Sequence, residues 1–176
     1  MTDPKPEPVN LPDRQAMAAR AERIREFAAS EVFARAFSEG MALVEETAAY
    51  LDSTGREDSK RLSRAGALAY AAESMRLTTR LMNVASWLLV QHSVRQGDMS
   101  AEDAADDKYR LKQEEQPDAQ PLEGAEELPA RLRQLVASSR QIHDRAQRLD
   151  ASVYRGKPQA NPVTRQMDRL RQAFGG

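Results

Sequence analysis

The sequence predicts an all-α protein, an antiparallel three-helix bundle with flexible N- and C-terminal extensions. Three observations carry that prediction. Apolar residues recur at alternating spacings of three and four in three separate stretches. Proline and glycine fall largely between those stretches. The 176 residues, 40% hydrophobic but 30% charged and only 5% aromatic, suit one domain with a slim core.

Residues 1–29 are expected to form a flexible leader, helical in part. "MTDPKPEPVNLP" holds four prolines and little to bury. "DRQAMAARAERIREFAA", residues 13–29, has helix-forming alanines but only Met17, Ile24 and Phe27 as substantial apolar groups, which predicts a weakly anchored helix. The bundle itself is expected over 30–155. Its first helix starts at Ser30 as N-cap and sets Phe33, Phe37, Gly40, Val44, Thr47 and Leu51 on one seam. Gly40 on that seam costs up to about 1 kcal/mol of helix propensity, which predicts a neighbouring helix close by. "DSTGRED", residues 52–58, supplies the turn.

The second helix is predicted over 57–96, about 60 Å at 1.5 Å per residue, ending at Gly97. Leu68, Met75, Met82 and Leu89 fall on one stripe; Tyr70, Leu77, Leu81, Val84 and Leu88 fall on another. The opposite side carries Glu73, Arg76, Arg80, Asn83 and Gln91, with Trp87, the only tryptophan, in its middle. Either a neighbouring segment of the chain covers that ring or it anchors a partner. From Leu81 to Val94 the helix is uncharged, but fourteen residues fall short of the roughly 20 that a membrane span needs. An acidic linker, 98–127, follows. The third helix, 128–154, has Pro129 in its first turn and a heptad seam of Leu128, Leu132, Leu135, Ser139, Ile142, Ala146, Leu149 and Val153. Phe37, Val44, Leu51, Leu68, Met82, Leu89, Leu132, Leu135, Ile142 and Leu149 are the expected core. Residues 156–176 form a flexible tail whose Val163, Met167, Leu170 and Phe174 write an amphipathic segment. That segment docks on a partner, a second subunit or its own bundle, or is simply disordered.

Little in the sequence points to chemistry. There is no cysteine, which removes disulfides and thiolate metal sites and fits a reducing compartment. The only histidines, His92 and His143, stand apart from acids at ligand spacing, and no phosphate-cradling glycine loop or nucleophile elbow is present. No catalytic, cofactor-binding or metal-binding residues are expected, and no enzyme. Residues 1–97 are neutral overall, 98–127 carry −8 and 128–176 carry +7. An acidic linker beside a basic helix points to internal attraction or protein partners rather than nucleic acid. The N-terminus lacks a basic-then-apolar signal pattern, which places the protein in the cytoplasm. The candidate partner-binding residues are Trp87, Arg80, Val163, Met167, Leu170 and Phe174.

Two stretches, "GMALVEETAAYLD" at 40–52 and "ALAYAAESMRLTTRLMNVASWLL" at 67–89, resemble the RcdA family of alphaproteobacteria, the regulators of CtrA degradation. The third helix and "NPVTRQMDRLRQAF" resemble it more loosely. The resemblance implies a small helical adaptor, without catalytic residues, that delivers cell-cycle substrates such as CtrA to the ClpXP protease. It does so alongside a CpdR-like adaptor and a PopA-like effector, in the cytoplasm and concentrated at a cell pole. The alternative is a homodimeric helical scaffold unrelated to proteolysis. The working form, monomer or homodimer, stays open.

Overall fold

A computed structural model of the protein describes residues 11–112 and 122–155, and within them all regular structure is helical. The order is α1 (Leu11–Ala29), α2 (Glu31–Asp52), α3 (Thr54–Ser59), α4 (Arg64–Gln96), α5 (Ala101–Ala104) and α6 (Ala130–Arg155). Single 3-10 turns lie at Asp107–Tyr109 and Ala125–Glu127.

One residue separates α1 from α2. Ser30 leaves helical geometry, accepts from the Phe33 N–H at 3.1 Å and donates its hydroxyl to the Phe27 carbonyl at 2.7 Å. It thus caps the helix that follows and holds the end of the one before. The predicted 57–96 helix is shorter at its start: Glu57 and Asp58 belong to α3, and α4 begins after Ser63, whose hydroxyl accepts from Gly66 N–H. Gly97 ends α4 in the left-handed region at φ 82°.

The helices do not all alternate in direction. α2 runs antiparallel to α4, with Gly40 beside Leu88 and Tyr50 near Tyr70. α6 runs parallel to α4: Glu127 meets Ser63, Ser139 meets Arg80 and Asp150 meets Trp87, so both numbers rise together. The expected antiparallel third helix is corrected here. The linker is long enough to carry the chain back to the start of α4, where Gly124, at φ 84°, lets backbone lie on backbone; a Cβ there would stand 2.4 Å from the Ala65 carbonyl carbon. Gly40 meets its expectation, since a Cβ at that position would lie 2.5 Å from Leu88 Cδ1.

A fourth long helix joins the three. α1 packs on α4, α5 and α6, burying Ala21, Ile24 and Ala28 completely or nearly so, while Arg23 Nε donates to the Val153 carbonyl at 2.9 Å and Arg20 Nη1 to that of Ala105 at 3.0 Å. Its anchoring is therefore firmer than three apolar groups suggested: small alanines let it sit close, and arginines reach across.

The expected core is right in α6, where Leu132 and Leu135 are buried, and half right in Phe37, Val44, Leu51, Ile142 and Leu149, which are partly buried against it. In α4 it is reversed. Leu68, Met82 and Leu89 are 65%, 63% and 47% exposed, and Met75 is 72% exposed. The buried face is Ala69, Leu77, Arg80, Leu81, Val84, Trp87, Leu88 and Gln91. Two residues of the side that reads as polar point inward because they find partners on α6, Arg80 in Ser139 and Trp87 in Asp150.

Candidate partner-binding surface

Trp87 and Arg80 were candidates for partner contact, and the fold withdraws both. Trp87 is 2% exposed, with the Phe27 ring centroid 5.7 Å away and Phe33, Val84, Leu111 and Ala146 in the same cluster. Arg80 is buried and donates to Ser139 Oγ at 2.8 Å. In the folded chain neither side chain presents a surface. Val163, Met167, Leu170 and Phe174 lie outside the described residues, as do 1–10 and 113–121.

The inward tryptophan is organised by Asp150, which sequence reasoning passed over. Its buried carboxylate accepts from Trp87 Nε1 at 3.1 Å, from Arg110 Nη2 at 2.8 Å and from the Leu111 N–H at 3.2 Å. One side chain of α6 thereby ties α4 to the segment that follows α5, and Leu111 closes over Trp87. The hydrogen bond to Asp150 raises the Arg110 pKa above its usual value against the opposing effect of burial, so the guanidinium stays charged. Nearby, Tyr154 donates to the Ala104 carbonyl at 2.6 Å, and burial pushes its hydroxyl pKa up to about 12. At the other end of α4, Glu127 accepts from the Ser63 hydroxyl and N–H, which lowers its pKa. His92 stacks on Phe37, centroids 4.3 Å apart, and His143 is buried, so each histidine is a packing element of the bundle.

What reaches solvent differs from helix to helix. The outward side of α2 carries Glu31, Glu39, Glu45, Glu46 and Asp52 against one arginine, Arg35. That of α6 carries Arg133, Arg140, Arg148 and Arg155 against Asp144. Glu39–Arg145, at 2.5 Å, and Glu46–Arg131 join the two helices along their shared edge. The outward side of α4 is apolar. Leu68, Met75, Met82 and Leu89 project from it, and the exposed residues between them are Ala71, Thr78, Thr79 and Ser86. A cleft of about 570 Å³ lies elsewhere, open and lined by Met17, Arg20 and acids from Asp98 to Asp107. Among the described residues no group of acids or histidines could hold a metal ion, and no helix is long and apolar enough to cross a membrane.

Residues 24–174 match the model of a family described as "Protein of unknown function (DUF1465)". The chain is also similar to RcdA from Caulobacter crescentus CB15, known from a crystal structure: the two are 51% identical, the match covers 74% of this chain and 97% of that one, and the TM-score is 0.61. No curated protein sequence matches it.

Proposed function

Because the chain belongs to the RcdA family, we propose that it takes part in regulated degradation of CtrA, as a non-catalytic adaptor. In this reading it delivers cell-cycle substrates such as CtrA to the ClpXP protease, together with CpdR-like and PopA-like partners, in the cytoplasm and at a cell pole. The identity to RcdA over nearly the whole of that chain carries the reading.

The architecture supports it. An adaptor works by raising the concentration of a substrate near its protease, which requires a rigid body with separate contact surfaces. Here a four-helix body is locked by buried polar pairs and offers acidic, basic and apolar sides. Its core is filled by Leu, Ala and aromatic side chains, so the surface is what remains available for function. The homodimeric helical scaffold unrelated to proteolysis is the second reading.

The test is reconstitution. Purified ClpXP, CtrA and the CpdR-like and PopA-like proteins are mixed with and without this chain, and CtrA loss is followed. The expected outcome is faster CtrA degradation in its presence, with no change for a substrate that ClpXP degrades unaided. Equal rates with and without it would overturn the reading, and a stable dimer without effect on degradation would favour the scaffold.

A further inference from the structure

We propose that the outward side of α4 is a docking surface for one amphipathic helix of a protein partner, bound weakly and reversibly. Leu68, Met75, Met82 and Leu89 recur every seven residues and are about half to nearly three-quarters exposed. A seven-residue period is that of a coiled-coil seam, which stays aligned with a second helix along its length; here that length is about 32 Å at 1.5 Å per residue. Among the described residues the seam is uncovered, because α1, α2 and α6 all pack on the opposite face of α4.

The chemistry beside the seam narrows the occupant. Ala71, Thr78, Thr79, Ala85 and Ser86 flank it, all small and uncharged, so a second backbone can approach closely. Charged groups stand along one flank as well as at the ends: partly exposed Arg76 follows Met75, and Lys108 and Lys112 line a crevice with Ser86. The partner helix carries an apolar stripe that lies on the seam, and the two methionines adapt to its shape.

Area decides between a passing partner and a permanent second copy. Four such side chains offer on the order of 400–500 Å² of apolar surface, comparable with the largest functional patches on monomers. A stable complex buries about 800 Å² on each partner, so this seam alone falls short of a lasting dimer and suits a transient contact. The inference holds for a proteolytic adaptor and for an unrelated scaffold alike, so its failure leaves the CtrA degradation assay unaffected.

The probe is a synthetic peptide about four heptads long, with leucine at the first and fourth positions of each heptad and Glu, Lys and Gln elsewhere. A peptide of the same composition broken by a central proline is the control. Binding to the full chain is read by fluorescence anisotropy, with sedimentation velocity at the same concentrations. We expect saturable binding in the micromolar range, no binding of the proline peptide, and about tenfold or greater weakening in the double variant Met75→Lys/Met82→Lys with an unchanged melting curve. Ala49→Lys, on the outward side of α2, leaves binding unchanged. Absence of binding, or equal binding to the double variant, would overturn the proposal. A wild-type dimer that the lysines dissociate would assign the seam to a second copy and overturn it too.

Discussion

Trp87 on α4 and Asp150 on α6 are joined by a 3.1 Å hydrogen bond that neither solvent nor a partner reaches, and the same carboxylate holds Arg110 and the Leu111 N–H. Removing it leaves a partly buried guanidinium and two N–H groups without that acceptor. Asp150→Ala is expected to cost about 3–5 kcal/mol in urea unfolding. A cost under 1 kcal/mol would show that the segment around Leu111 is not held by this residue.

Trp87→Ala opens a cavity beneath Phe27 and Leu111 and is expected to cost about 3–5 kcal/mol. A lowered melting temperature checks this. An unchanged melting temperature with weakened partner binding would restore the ring as a surface anchor.

Leu135→Ala, in the centre of the core, is expected to cost about 2–5 kcal/mol, whereas Met82→Ala on the open side of α4 stays within about 0.5 kcal/mol. Parallel denaturant titrations of the two variants check which stripe faces inward; a reversed order would mean that α4 is rotated.

Tyr154 gives a pH dependence whose sign is fixed. Burial raises its pKa from 10.0 to about 12, so the folded state keeps the proton that the unfolded state releases above pH 10. Its contribution is complete below pH 10 and is lost as pH rises toward 12. Tyr154→Phe is expected to be less stable at neutral pH, having lost the bond to the Ala104 carbonyl, but to lose less stability between pH 10 and 12. Unfolding free energies measured across that range check the slope.

The local signals were legible. Ser30 as a cap, Gly97 as a stop, Gly40 as a close approach and the Leu132/Leu135 seam all follow from one helix at a time. The rotation of α4 was not. Its Leu68–Leu89 stripe has as regular a period as any in the chain, and only pairings across helices, Arg80 with Ser139 and Trp87 with Asp150, turn it outward. Asp150 itself left one local hint, an acid between Ala146 and Val153 beside a seam whose one polar member is Ser139. The direction of α6 was hidden for a different reason: a long linker allows either direction, and the decision rests on Gly124 lying against Ala65. The RcdA resemblance was legible in "GMALVEETAAYLD" and the α4 sequence, whereas Trp87 and Arg80 as contact residues were misplaced by that same rotation.

The parallel course of α4 and α6 also sets the order in which the chain can assemble. α2 and α4 are joined by residues 53–63, which include α3, and pair at modest entropic cost, but α6 docks only after residues 97–129 have closed a longer loop back to Ser63. During synthesis Leu77, Leu81 and Trp87 therefore emerge without their α6 contacts, and lack them until Asp150 leaves the ribosome. That interval is when aggregation threatens, and a chain stopped within the linker never leaves it.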